Sequence, residues 1–123
     1  MGVSVFDASA LLAYLQGEDG SAMVESALEA GGVCGAANWS EVAEKVRGHS
    51  RDWALSRSLL LSYGLVIEPV TIDDAERAAR SWQRGQDLSL ADRLCLALGV
   101  RLDAPVLTAD RARGVAGRIR QIR

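Results

Sequence analysis

Val3-Ser4-Val5-Phe6-Asp7-Ala8-Ser9 is a short apolar run that stops on an acid, and Pro105-Val106-Leu107-Thr108-Ala109-Asp110 follows the same pattern near the other end of the chain. Each run has the length and composition of a buried strand, so each aspartate falls just past a strand's carboxyl end. Val33-Cys34-Gly35 and Leu65-Val66-Ile67 read as two further strands, the second closed by Pro69. Ile119 to Ile122 reads as a last edge strand.

Helical spacing fills the intervals. Ser9 to Gln16 places Leu11, Leu12 and Leu15 on one face, and Gly17-Glu18-Asp19-Gly20 makes a turn. Ser21 to Glu29 carries Met23, Val24 and Leu28 before Gly31-Gly32 breaks it. Asn38 to Arg47 aligns Val42, Ala43 and Val46, while Asp52 to Tyr63 has a stripe of Leu55, Leu59 and Leu60. Ile72 to Arg84 reads as an amphipathic helix, and Ser89 to Gly99 as a very apolar one packed centrally. Short apolar strands alternating with helices predict an α/β fold whose mostly parallel sheet is covered on both faces. Ligands of such sheets gather outside the carboxyl ends of the strands, near a switch point in strand order.

At 123 residues the chain is expected to be one domain, and 49% hydrophobic residues suffice for a core. No stretch approaches the roughly 18 apolar residues of a membrane span. The start, Met1-Gly2-Val3-Ser4, shows no basic leader, and Phe6 stands where an acylation signal wants Ser or Thr. A cytoplasmic location is expected. Cys34 and Cys95 sit in apolar runs and read as buried thiols in a reducing compartment. His49, the single histidine, reads as a solvated loop residue. One histidine and two scattered cysteines cannot build the usual zinc site. Metal chemistry here must rest on carboxylates, which favours magnesium or manganese.

Four acids occupy corresponding places in this pattern. Asp7 and Asp110 follow strands, Glu41 lies about a turn into the helix after Val33-Cys34-Gly35, and Asp92 about a turn into the helix before the Asp110 strand. Each also has a plain structural reading. Asp7 and Asp110 suit helix N-caps. Asn38-x-x-Glu41 and Ser89-x-x-Asp92 have capping-box spacing. Taken together, four caps have no reason to coincide with four equivalent strand ends of one sheet. Ionised carboxylates at 4 Å and an effective dielectric near 20 repel by about 4 kcal/mol per pair. Helix N-termini offset only about 0.3–1 kcal/mol each. Protonation or a divalent ion must relieve the rest. Such a metal site suits phosphodiester hydrolysis, because the ion lowers the pKa of bound water and offsets phosphate charge without a Lys or His base. Lys45 is the only lysine in the chain.

With these residues in view, the chain resembles PIN-domain ribonucleases, and among them the small VapC-type toxins of toxin–antitoxin pairs. The resemblance spans nearly the whole chain and rests on Val5-Phe6-Asp7-Ala8-Ser9, Asn38-x-x-Glu41, Asp87-Leu88-Ser89-Leu90-Ala91-Asp92 and Leu107-Thr108-Ala109-Asp110. It implies a three-layer α/β/α fold with a short parallel sheet. It implies that Asp7, Glu41, Asp92 and Asp110 are catalytic and hold Mg2+ or Mn2+, that Ser9 and Thr108 orient the site, and that Asn38 supports it. It further implies cleavage of single-stranded or looped RNA, usually tRNA or rRNA, homodimer formation, and a cognate antitoxin that blocks the cleft. One departure stands out. Such toxins often carry an aromatic soon after the fourth acid, and here Arg111-Ala112-Arg113 follows.

Beyond Asp110 there is no acid, and Arg111, Arg113, Arg118, Arg120 and Arg123 make an edge suited to RNA phosphate, with Arg111 and Arg113 nearest the acids. Arginine bias of the whole chain is the competing explanation. Trp39 reads as a packing residue or a base-stacking one, and Trp53 and Trp82 as core or interface. The helices around Val42 to Leu60 read as core or as an antitoxin groove. Three other functions fit the sequence less well. A haloacid-dehalogenase-like phosphatase wants a second Asp where Ser9 stands. A receiver domain wants a lysine after a late strand, which Lys45 is not. An inert binding or dimerisation module need not keep four acids. Nucleotide-binding glycine motifs are missing.

Overall fold

In the computed structural model, which describes residues 3–123, the chain runs β1 (Ser4–Phe6), α1 (Ala8–Gln16), α2 (Ser21–Ala30), β2 (Gly32–Gly35), α3 (Ala36–Gly48), α4 (Trp53–Ser62), β3 (Val66–Glu68), α5 (Ile72–Arg80), α6 (Leu90–Leu102), β4 (Val106–Thr108) and β5 (Ile119–Gln121). A 3-10 turn at Arg111–Arg113 joins the last two strands. Met1 and Gly2, read above for leader and acylation signals, lie outside the described residues.

The five strands form one parallel sheet in the order β3-β2-β1-β4-β5. Val5 pairs with Val33 on one side and Val106 on the other, and Phe6 pairs with Leu107. Successive strand side chains point to opposite faces, and each face has its own core. Phe6, Cys34 and Leu107 pack with Leu11, Val24, Val42 and Leu60 under α1 to α4. Val5, Val33 and Val106 pack with Cys95 and Leu98 of α6, against which α5 lies. This is the α/β/α arrangement. Strand order reverses between β1 and β4, so the edge that carries Asp7 and Asp110 is the switch point where ligand sites form.

Three local expectations are corrected. The helix read as ending at Gly99 continues to Leu102 and closes on Asp103 in the left-handed conformation, φ 51°. Gly99 is there for space: a Cβ would lie 2.6 Å from Val106 Cγ2, so glycine lets α6 press onto β4. Gly32, read as part of a break, is the first residue of β2. The Phe6 ring occupies the position a Cβ would take there. The helix drawn to Arg84 stops at Arg80, where Ser81 turns its hydroxyl back to the Ala78 carbonyl at 2.9 Å. Trp82 therefore lies outside the helix, 53% exposed, and not in the core. Trp39 and Trp53 pack edge-to-face at 5.0 Å between centroids, against the α1–α4 core.

The outer helix α5 is fixed by one acid. Asp74 is 4% exposed, closes a capping box with Thr71, and accepts from Arg101 Nε at 3.1 and 3.2 Å. Arg101 reaches on to Glu68 at 3.1 Å. Burial raises the Asp74 pKa, but the hydrogen bonds from Arg101 and Thr71 outweigh it and hold the carboxyl below its usual value. Stability from this group is thus present above the unfolded pKa of about 3.9 and lost as pH falls through the lower folded value. Asp74→Ala should lose about 1–3 kcal/mol at pH 7 in urea unfolding, with the gap to the unsubstituted chain narrowing below about pH 4. An equal gap at pH 7 and pH 2 would refute the ion-pair explanation.

Candidate active site

Asp7 leaves β1 and caps α1, accepting from the Ala10 N–H at 2.9 Å and the Ser9 hydroxyl at 2.7 Å. Ser9 Oγ also lies 3.1 Å from Thr108 Oγ1 and accepts the Ala109 N–H at 2.9 Å. With Ser9 donating to Asp7, the hydroxyl contact has Thr108 as donor. Thr108 Oγ1 in turn accepts the Asp110 N–H at 3.0 Å. A hydrogen-bonded chain therefore runs from the Asp110 backbone through Thr108 and Ser9 to the Asp7 carboxylate, tying β4 to α1 across the switch point.

Asp110 caps the 3-10 turn through Oδ1 and the Ala112 N–H, 2.9 Å. Asp92 closes a true capping box with Ser89, both bonds 3.1 Å. The Asn38-x-x-Glu41 capping box does not form. Its helix, α3, starts two residues earlier than read, at Ala36 with Gly35 as N-cap, so Asn38 lies within the first turn. Asn38 is buried, and its Nδ2 reaches Glu41 Oε1 and the Ala91 carbonyl of α6, each at 3.4 Å. It orients Glu41 and stitches α3 to α6. Its Oδ1 is buried without a hydrogen-bond partner among the described residues.

The four acids line one cleft of about 230 Å³, together with Ala8, Ser9, Leu12, Lys45 and Ser89. Asp7, Asp92 and Asp110 are caps as read and also line the cleft, while Glu41 lines it without capping. Burial pushes the Asp7 pKa up; the nearby Thr108 hydroxyl and the Ser9 and Ala10 hydrogen bonds oppose this, and the Asp92 charge adds to it. Burial and the Asp92 charge raise Glu41, with Lys45 and Asn38 opposing. Asp7 has no cation among these influences and Glu41 only Lys45, in a cleft with room for a hydrated ion. Oxygen donors alone suit Mg2+ or Mn2+, so the residues fit the metal. They are not a ready-made ligand shell: among the described residues, no three acids are gathered tightly enough to hold an ion as they stand.

Two cations stand at the acids: Lys45, which the sequence reading gave no role in the site, and Arg113. Lys45 lies in the cleft wall one helical turn beyond Glu41, at i,i+4 spacing that signals a shared face. Arg113, read as a phosphate contact, turns inward. Its Nη1 is 3.3 Å from Asp92 Oδ2, its Nε 3.2 Å from Asp110 Oδ2, and its Nη2 donates to the Asp87 carbonyl at 3.0 Å. Arg111 is exposed. Of the other tail arginines, Arg118 pairs with Asp103, Arg123 with Glu18, and Arg120 donates to the carbonyls of Gly117 and Ile119. Cys34 and Cys95 are free and buried, and burial pushes both thiols up in pKa, which keeps them protonated and unreactive. His49 is exposed at the end of α3.

A family model described as PIN domain matches residues 4–116. Among solved structures, the fold is similar to a chain of a toxin–antitoxin complex from Klebsiella pneumoniae, with a TM-score of 0.75 and 22% identity over 98% of both chains. It is also similar to Mycobacterium tuberculosis VapC20, a sarcin-ricin loop cleaving toxin, with a TM-score of 0.65 and 15% identity over 86% of this chain and 88% of that one. A comparison with curated proteins finds no match. At these identities the two structures share the fold.

The Ser9 relay predicts a graded outcome. Ser9→Ala should weaken Mn2+ binding by about 10–100-fold, as loss of an orienting partner does at metal sites, while circular dichroism stays unchanged. Unaltered Mn2+ affinity by calorimetry would show that the relay serves folding alone.

Proposed function

The chain belongs to the PIN-domain family, and from that premise we propose that it is a metal-dependent endoribonuclease, one domain over residues 1–123, acting as the toxin of a toxin–antitoxin pair. The observation that carries the proposal is the convergence of Asp7, Glu41, Asp92 and Asp110 on one cleft at the switch point of the sheet. The likeness to a toxin–antitoxin complex and to an RNA-loop-cleaving toxin supports it.

Asp7, Glu41, Asp92 and Asp110 would hold Mg2+ or Mn2+. When bound, such an ion lowers the pKa of its water and offsets charge on the scissile phosphate. The chain's own groups prepare the site. Ser9, Thr108 and the Ala10 N–H fix the Asp7 carboxylate, and Asn38 directs Glu41. The N-termini of α1 and α6 open on the cleft at Ala8 and Ser89, where their partial positive charge favours a phosphate. Lys45 adds a full positive charge beside Glu41, and Arg111, exposed and next in sequence to Asp110, would meet the RNA backbone.

The RNA is expected to be a tRNA or rRNA loop, whose unstacked bases leave the backbone accessible. For the antitoxin, the helices once read as a groove divide. Val42 and Leu60 are core, while Leu55 (68% exposed) and Leu59 (42%) on α4 offer an apolar face. A homodimer in the cytoplasm completes the proposal. Among the described residues, no helix is long and apolar enough to cross a membrane.

Purified chain, freed of any partner, should cut structured RNA with Mg2+ or Mn2+ and stop on adding EDTA. Asp7→Asn keeps a good N-cap and should retain the urea midpoint while losing more than about 100-fold in cleavage rate, beyond the range for orienting residues. Cleavage by this variant at the original rate, or full activity in EDTA, would remove the assignment.

A further inference from the structure

Arg113 is placed where a cation between Asp92 and Asp110 would sit. The 3-10 turn that follows Asp110 brings the guanidinium back over the acid that caps the turn. Asp110 Oδ1 accepts the Ala112 N–H, and its Oδ2 forms an ion pair with Arg113 Nε at 3.2 Å without the alignment of a hydrogen bond. Asp92 Oδ2, already taken by the Ser89 N–H at 3.1 Å, also meets Arg113 Nη1 at 3.3 Å. The side chain is only 11% exposed and is anchored at its third nitrogen by the Asp87 carbonyl. Among the described residues, Arg113 is the only arginine or lysine in an ion pair with any of the four acids. Arg113 also lines a second groove, of about 300 Å³, with Gln86, Asp87, Leu88, Ala112 and Ile119, which gives the side chain room to move.

Resting on the metal-site reading above, we infer that Arg113 is an internal counterion that competes with the divalent ion for Asp92 and Asp110. In the metal-free protein it satisfies the two acids. Metal entry requires the guanidinium to leave them, and the neighbouring groove receives it. A phosphate that draws Arg113 away promotes metal binding by the same amount as metal promotes phosphate contact, because coupling between two ligands is reciprocal. Arg113 is thus a positioning residue of the cleft, which sets the metal concentration at which the site loads.

The test is Mn2+ titration by calorimetry on the full chain and on Arg113→Gln, Arg113→Lys and Arg111→Gln, with melting curves in EDTA and in excess Mn2+. Arg113→Gln should bind Mn2+ about 5- to 150-fold more tightly, the usual range of coupling between sites. It should melt lower than the unsubstituted chain in EDTA and recover in Mn2+. Arg113→Lys, which keeps the charge and loses the planar fork, should fall between. It serves as the measurable variant if Arg113→Gln does not fold. Arg111→Gln removes an equal charge from an exposed neighbour and should change affinity little, since exposed charge is screened. Equal or weaker Mn2+ binding by the Arg113 variants, in a chain that itself binds Mn2+, overturns the competition and leaves the metal site standing. So does an equal gain in Arg111→Gln, which would assign the effect to net charge. Absence of Mn2+ binding in every variant overturns the metal site, and this inference with it.

Discussion

Four carboxylates crowd one edge of a parallel sheet, and their mutual repulsion is the constraint around which the rest of the cleft is arranged. The fold meets it with several small devices. Asp7 receives a hydroxyl and an amide N–H, and Asp92 and Asp110 each accept N–H groups at the start of a helical turn. Glu41 has Asn38 and, one turn on, Lys45. Arg113 spans the remaining pair. Burial still raises the proton affinity of Asp7 and Glu41. The cleft is therefore built to accept positive charge, and its oxygen-only donors say which kind.

Capping and catalysis are usually weighed as rival explanations of an acid beside a helix. Here the capping acids also line the cleft proposed for catalysis, because a parallel sheet puts strand ends and helix starts at the same edge. An aspartate that satisfies orphan N–H groups of α1 or α6 is also held at the rim of the switch point. Its helix dipole then favours any phosphate that approaches. The local stability of these turns and the geometry of the site rest on the same atoms.

Much of this was legible from sequence, because the strands are buried on both faces and read as continuous apolar runs ending on Asp7 and Asp110. The chain order of strands and helices, the parallel sheet, and the four acids at one edge follow from that pattern. What was not legible depends on tertiary approach. Gly99 looked like a helix stop and is a contact surface for Val106; Gly32 looked like a break and lies under Phe6. Asn38 had the spacing of a cap, but α3 begins at Ala36 and turns its amide inward to Glu41 and Ala91. The stop of α5 before Trp82 rests on the Ser81 hydroxyl turning back to Ala78, which serine in a helical pattern does not announce. Arg113 belonged to an arginine-rich tail in which its i,i+3 spacing to Asp110 was the one local signal; the reach to Asp92 comes only from the turn after Asp110.

The most direct measurement is the anomalous scattering of manganese in crystals of the purified chain soaked with Mn2+. A peak enclosed by the carboxylates of Asp7, Glu41, Asp92 and Asp110, with the Arg113 guanidinium displaced from its place between the last two, is the expected result. A fully soaked crystal with no manganese in the cleft, or with manganese bound only elsewhere, would contradict the view that this edge of the sheet is a metal-loaded catalytic centre.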